Sequence, residues 1–281
     1  MYRFKDVMEP GLPDMSRLQT IVDGINLDVT LKGFRTLAVY GRELIGRDVE
    51  TRKYRTSGVG GKRKTLQQRR DSSGYMGSNR LIGSSISTRY IGVDFHLESK
   101  DWREQIEAFE YLNYLINKDS CQLAFTDDLD FYWEACLGTL DTIDVNQPVM
   151  KGELKFEVMN PFKLKRDPEV FHLDTEGAFK KSTLYPVHLE AIKIQVKESG
   201  DKLLLKNTST GDRIILNKDF SPGDEVLMDL LDNTVSGKNG ESLMSCLDIR
   251  SNLESFNLSY KDIINTSLKA EVDIRFREAR L

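Results

Sequence analysis

Asp127, Asp128, Asp130 and Glu134 are the densest group of potential acid–base residues in the sequence. A pair of carboxylates across a cleft can hydrolyse a glycosidic bond, one as acid and the other as nucleophile or base. That chemistry needs a second carboxylate on a neighbouring strand, and none is identifiable from the pattern. Acidic residues also fill ordinary turns, and DDLD reads as a turn. Metal chemistry finds less support. Cys121, Cys136 and Cys246 are widely spaced, as are His96, His172 and His188, whereas zinc sites need ligands paired at short spacing. Cys121 in CQLAF and Cys136 in YWEACLG read as small core residues. DNTVSGKNGE, Asp232 to Glu241, has the oxygen-rich look of a calcium loop but lacks the alternating ligands and closing glutamate of an EF-hand. Gly58 to Thr65, GVGGKRKT, has glycines and a lysine without phosphate-loop spacing. No Ser/His/Asp set or nucleophile elbow is present. The expectation is a protein that is not an enzyme and takes no metal or cofactor.

Composition limits the remaining classes. The chain has 281 residues, 39% hydrophobic and 30% charged, with a formal net charge of -4. That length suits one large domain or two ordinary ones. The overall charge argues against a general nucleic-acid binder. No run approaches the roughly 18 apolar residues of a membrane span, so no membrane insertion is expected. MYRFKDVMEP has no apolar secretory core, so synthesis and assembly in a host cytoplasm are expected.

Against this acidic background stands a basic, Gly- and Ser-rich stretch from about Arg42 to Arg89. Structureless connections of that length are uncommon inside compact domains and are usually functional or disordered. Its flanks have strand-like patterns, which predicts a long hairpin arm over about residues 42–90. An arm that does not pack on its own domain is available to a neighbouring chain. Arg47, Arg52, Lys53, Arg55, Lys62, Arg63, Lys64, Arg69, Arg70 and Arg80 carry its charge. Three readings are open: pairing with acidic surface on another subunit, a solvated hairpin, or DNA phosphate contact. The first is favoured, and Arg52, Arg55, Lys62, Arg63, Lys64, Arg69 and Arg70 become candidate inter-subunit residues. DNA binding usually adds interleaved aromatics or a recognition helix, and here only Tyr54 and Tyr75 are at hand.

The elements around the arm follow from periodicity. Ile25 to Lys32 and Phe34 to Val39 alternate apolar and polar residues and predict half-buried strands. Arg89 to Glu98 places Ile91, Val93, Phe95 and Leu97 on one strand face, where a one-residue slip would expose them all. Asp101 is a helix N-cap with Glu104 three residues on. Trp102, Ile106, Phe109, Leu112, Leu115 and Ile116 then form an apolar stripe expected to pack on a sheet. Strand-like runs return in CQLAF, FYWEACLGTLDTID and GELKFEVMNPF, and Pro161 closes a domain of residues 1–163. Residues 164–181 are polar with weak periodicity. Beyond them VHLEAIKIQV, KLLLKN, DRIILN, EVLMDLL, SLMSCLDI and LKAEVDIRFR alternate with Gly/Asn/Asp turns. Short strands so punctuated predict a β-sandwich over residues 164–281. The fold class is mainly β: an α+β N-terminal domain with one helix and a hairpin arm, then a sandwich.

This order of elements resembles the distal tail protein (Dit) family of long-tailed, siphovirus-type bacteriophages. RTLAVYGREL, Arg35 to Leu44, resembles the family's entry into its long hairpin, and RYIGVDFHLE, Arg89 to Glu98, the returning strand. The helix with CQLAFTDDLDFYWEACLG and then GELKFEVMNPFK resembles the rest of the ring-forming domain. NTSTGDRIILNKDFSPGDEVLMDLLDNTVSGKNGE resembles the turn-and-strand pattern of the second half. Two departures stand out: a more basic and Gly-rich hairpin tip, and LSYKDIINTS in place of a P-G-x-N turn.

The resemblance implies a structural protein of the virion tail tip. Family members form a homo-hexameric ring that joins the tail tube protein to tail-associated tip proteins and receptor-binding proteins. The N-terminal domain makes the ring, and phage DNA is a partner only in transit through the lumen. The C-terminal sandwich, galectin- or carbohydrate-binding-module-like, points outward as an attachment point. The alternative is glycan or receptor binding by that sandwich. Sugar modules stack their ligands on exposed aromatics, and the second half offers only Tyr185 and Tyr260 for this, since Trp102 and Trp133 are both in the first.

Overall fold

The computed structural model describes residues 18–42, 47–53, 79–86, 89–140 and 149–281, of which 47–53, 79–86 and 139–140 are described by backbone alone. Two compact units result. The first runs through Asp127 and again over Trp133–Pro161, and the second takes Asp128–Tyr132 and Phe162–Leu281.

The first unit opens with β1 (Thr20–Val22), β2 (Ile25–Asn26), the single-turn helix α1 (Leu27–Thr30) and β3 (Phe34–Tyr40). β4 (Arg47–Lys53) and β5 (Asn79–Ile86) form a separate ribbon, followed by β6 (Arg89–Glu98) and α2 (Trp102–Ile116). β7 (Cys121–Phe125), β8 (Phe131–Leu140) and β9 (Val149–Val158) complete it. The main sheet has the order β2-β1-β7-β8-β9-β6-β3. Its longest ladder pairs β6 with β9 from Arg89↔Val158 to Glu98↔Val149. Ile91, Val93, Phe95 and Leu97 are all buried, as that register requires, and share a core with Leu154, Phe156, Val158 and with Leu112, Leu115 and Ile116 of α2.

Two expectations need correcting. Ile25 to Lys32 is a strand only at its first two residues and then turns into α1. Side-chain capping outweighs the alternation here. The Asn26 side chain accepts from the Asp28 N–H at 3.1 Å, and the Asp28 carboxylate accepts from the Thr20 N–H (3.1 Å), the Thr36 N–H (2.7 Å) and the Thr36 hydroxyl (2.7 Å). The α2 stripe is also narrower than expected. Trp102 is 62% and Ile106 36% exposed, while Gln105 is buried with Leu112, Leu115 and Ile116. At about 100° per residue the residues named from sequence cover roughly 180° of the helix, more than one sheet face can bury.

The second unit contains β10 (Lys163–Lys165), β11 (Glu169–Asp174), β12 (Glu176–Ala178), β13 (His188–Val196), β14 (Leu203–Asn207) and β15 (Arg213–Leu216). β16 (Glu225–Asp229), β17 (Thr234–Gly237), β18 (Ile263–Thr266), β19 (Ala270–Arg277) and β20 (Ala279–Arg280) follow. A five-stranded sheet, β11-β19-β13-β16-β17, and a four-stranded sheet, β12-β18-β14-β15, enclose one core. Ile192, Ile194, Val272 and Ile274 face Leu203, Leu205, Ile214 and Ile264 across it. The sandwich is therefore present, with changes in detail. SLMSCLDI forms a 3-10 turn at Met244–Cys246 instead of a strand. The weakly periodic stretch after Pro161 supplies β10, β11 and β12. The turn of NTSTGD is built by Asn207, fully buried, whose side-chain oxygen accepts from the Ser209 N–H at 3.0 Å and whose amide donates to the Asp262 carboxylate at 2.9 Å.

Candidate assembly site at the root of the arm

The arm exists as an antiparallel ribbon, with β4 paired to β5 from Arg47↔Ile86 to Lys53↔Asn79 and one irregularity between Glu50 and Thr51. Arg52 pairs by its backbone with Arg80. Arg55, Lys62, Arg63, Lys64, Arg69 and Arg70 lie outside the described residues, as does the side chain of Arg52. Among the described residues the ribbon is a sheet of two strands. Two-stranded ribbons are marginal by themselves in water, so the geometry that fixes the arm lies at its root.

At the root, β3 delivers the chain to Gly41 and β6 takes it back at Arg89. Gly41 has φ +80°, and a Cβ there would lie 2.0 Å from the Tyr90 carbonyl oxygen. Only glycine permits both the turn and the close approach. The next residue, Arg42, forms a bidentate pair with Asp127 at 2.9 and 3.0 Å. Its guanidinium also lies over the rings of Phe125 (4.9 Å) and Trp133 (5.6 Å). Planar guanidinium suits both contacts at once, which lysine would not. Arg89, 1% exposed, reaches the Arg42 carbonyl at 3.5 Å.

Tyr40 completes the root. It sits across from Gly92 in the β3–β6 ladder, where a Cβ would be 2.3 Å from its ring, so the glycine makes room for the aromatic. The phenol lies by the carboxylates of Glu153 and Asp94, which face each other across β6 and β9. Directly opposed like charges destabilise a ladder, and the phenol lies beside this pair. Loss of solvent around the phenol, then the two carboxylates, holds its proton well above the usual tyrosine range.

The acidic turn is shared out among structural partners. Asp127 belongs to Arg42, Asp128 is ion-paired to Lys163, and Glu134 lies on β8 opposite Gln122. Glu241, at the end of the Asp232–Glu241 loop, accepts from the Asn239 N–H at 3.0 Å, closing that loop on itself. Among the described residues no group of three or more His, Cys, Asp or Glu side chains is placed to hold a metal ion. Burial pushes the Cys121 thiol up to about 12, which suits a core residue rather than a nucleophile. Tyr185 is packed against Phe162, and Tyr260 lies under the Lys261 ammonium. Sequence reasoning passed over Gly41, Arg42, Asp127 and Tyr40 as a set; the one signal was the Tyr-Gly-Arg triplet at the end of a strand.

Residues 186–279 match the family model for the siphovirus-type tail component, C-terminal domain, SPP1_Dit. No curated protein matches the chain. Among solved structures, the Dit protein of SPP1, described as a paradigm of the hub adsorption apparatus in phages infecting Gram-positive bacteria, is similar at TM-score 0.69 and 18% identity, covering 94% of this chain and 100% of that one. Chains of the phage p2 baseplate in its activated conformation, with strontium and with calcium, give TM-scores of 0.46 and 0.45 at 12% and 10% identity. Each covers 92% of this chain and 98% of the baseplate chain.

Residues 186–279, most of the sandwich of this mainly β chain, therefore carry a siphovirus-type tail component C-terminal domain. Over 94% of its length the chain has the fold of the SPP1 Dit protein.

Proposed function

We propose that this chain is the hub at the distal end of the tail, where six copies close a ring and each lends its β4–β5 arm to the next subunit. A ring needs a heterologous contact, one patch meeting a different patch on the neighbour. An arm of two strands rooted by Gly41, Arg42 and Tyr40 is the observation that carries this reading, because a ribbon this thin gains its stability by packing elsewhere. Arg52, Arg55, Lys62, Arg63, Lys64, Arg69 and Arg70 would meet acidic surface on that neighbour. The ring would join the tail tube to tip proteins and receptor-binding proteins, assemble in the host cytoplasm and let DNA pass. The sheet face away from α2 suits such a passage: Asp94, Glu153 and Glu157 alternate with Lys151 and Lys155, so phosphate meets no continuous basic track.

Deleting residues 58–80 tests the reading. The shortened chain should keep its far-UV spectrum and both described cores, since every core residue among the described residues lies outside the deleted span. Light scattering coupled to size exclusion should then give a single chain where the full-length protein gives about six. Ring formation by the shortened chain would rule out the arm as the closing contact.

A further inference from the structure

Of the outer strands in the two sheets of the sandwich, β15 and β17 are covered by their own chain. Asn252 N–H donates to the Arg213 carbonyl (2.7 Å) and Asp248 N–H to that of Ile215 (2.9 Å) along β15, and Leu243 N–H donates to the Val235 carbonyl (2.8 Å) along β17. β12 is only three residues long. β11 differs: its six residues pair with β19 on one side, and among the described residues nothing pairs with the other.

The direction of its free groups follows from two neighbouring bonds. Thr175 N–H donates to the Ala270 carbonyl at 2.8 Å, and on the far side of β19 Lys197 N–H donates to the Lys269 carbonyl at 2.8 Å. Antiparallel alternation carried along from these bonds turns Glu169, Phe171 and Leu173 toward β19. The N–H and C=O groups of Val170, His172 and Asp174 therefore point out of the open edge. Exposed edges of this kind are templates for a further strand, and native proteins normally blunt them.

Beneath the edge lies a groove of about 440 Å³ shared by β11 and β12. Phe171, Phe179 and Phe276 line it, packed edge to face at 5.3 and 5.1 Å. On the opposite face Val170 is 48% exposed. There Asp174 sits directly across from Glu271, a like-charged pair. Lys197 serves Glu271 at 3.2 Å and His172 serves Asp273, while no cation among the described residues serves Asp174.

We propose that the β11 edge is a docking site for an extended segment of a second, different protein, with β-branched side chains in the Phe171 groove and a lysine or arginine beside Asp174. Main-chain bonds to Val170, His172 and Asp174 would give affinity, and the groove and the unserved carboxylate would set register and direction. Nothing here depends on residues 42–90, so failure of this idea leaves the ring reading standing, and an arm-deleted monomer keeps the site.

The test uses the full chain and a labelled heptapeptide, acetyl-Thr-Lys-Ile-Thr-Val-Val-Thr-amide, whose lysine falls opposite Asp174 in antiparallel register. Its binding should raise fluorescence anisotropy and slow hydrogen exchange over residues 169–175 about tenfold. A peptide with glutamate for the lysine should bind more weakly, and Asp174→Lys should reverse that ranking. Val170→Pro removes an N–H aimed away from β19, so it should lower affinity about tenfold with the melting midpoint unchanged. Should the proline variant unfold, Asp174→Lys still decides. Unchanged exchange with peptide, or Val170→Pro or Asp174→Lys without effect on binding, overturns the proposal. So does protection already present in the free protein: if it grows with protein concentration the occupant is a second copy, and if it does not the occupant is the same chain.

Discussion

Gly41 shows how much of the arm's position rests on one missing methyl group. Its φ of +80° is a cost for any L-residue with a side chain, and the carbonyl of Tyr90 occupies the place a Cβ would take. The clash is with backbone of the returning strand, so relief requires β3 and β6 to part where the arm leaves the sheet. Gly41→Ala is expected to cost about 2 kcal/mol from backbone strain and the shifts it forces. Chemical denaturation of the variant followed by tryptophan fluorescence measures this, because Trp102 and Trp133 both lie in the first unit. A loss below a few tenths of a kcal/mol would mean the root is slack. Arg42 then provides the second constraint. Its partners approach from three directions, carboxylate, phenyl and indole, which leaves the side chain few alternative rotamers. The ion pair is partly exposed and is worth little by itself, so its contribution is to orientation.

At the scale of elements, the N-terminus of α2 is a case where local signals and structure agree closely. Asp101 accepts from the N–H groups of Arg103 (2.9 Å) and Glu104 (3.0 Å), and Glu104 turns back to accept from the Lys100 N–H at 2.9 Å. That backbone bond and the Lys32 ammonium hold the Glu104 carboxyl below its usual range. Asp101→Ala should lower stability by about 1 kcal/mol, measurable as a reduced denaturation midpoint at unchanged slope. An unchanged midpoint would show that sheet packing alone holds the helix.

The same element marks where sequence reading stops. Asp101 was legible because a cap acts over three residues. Which third of the stripe reaches the sheet was not, because helix phase depends on where Leu112 and Ile116 find Phe95 and Leu154, residues distant in sequence. β6 was legible in full, since a strand buried on one face advertises its register in Ile91, Val93, Phe95 and Leu97. β11 was not: Val170 and His172 are exposed on one face while Phe171 is half-buried on the other, so neither alternation dominates. Asp28 hid α1 for a related reason, since its three bonds reach Thr20 and Thr36 across the first sheet. The root of the arm combines residues 40–42, 89–92, 125–133 and 153, a set only the fold assembles.

For the whole molecule, the informative fact is that neither unit is one continuous stretch of chain. The acidic turn is the crossing point: Asp127 pairs with Arg42 in the first unit and Asp128 with Lys163 in the second. Asp128–Tyr132 then completes the second unit by pairing Phe131 and Tyr132 with Lys165 and Leu164 of β10. Phe131 is buried there under two cations, Arg280 at 4.3 Å and Lys163 at 5.3 Å, and Tyr132 lies under Arg277 at 5.7 Å. A fragment beginning at Phe162 would lack both rings and the strand bonded to β10. Phe131→Ala therefore should destabilise the second unit by about 3 kcal/mol, the low end for a buried phenylalanine. Hydrogen exchange over residues 163–165 and 279–280 should quicken most, since β10 and β20 pair with each other and β10 with the lost ring's strand. Tryptophan emission reports only the first unit and should shift less than the exchange-detected transition. Equal shifts in both would mean that the two units unfold as one cooperative body.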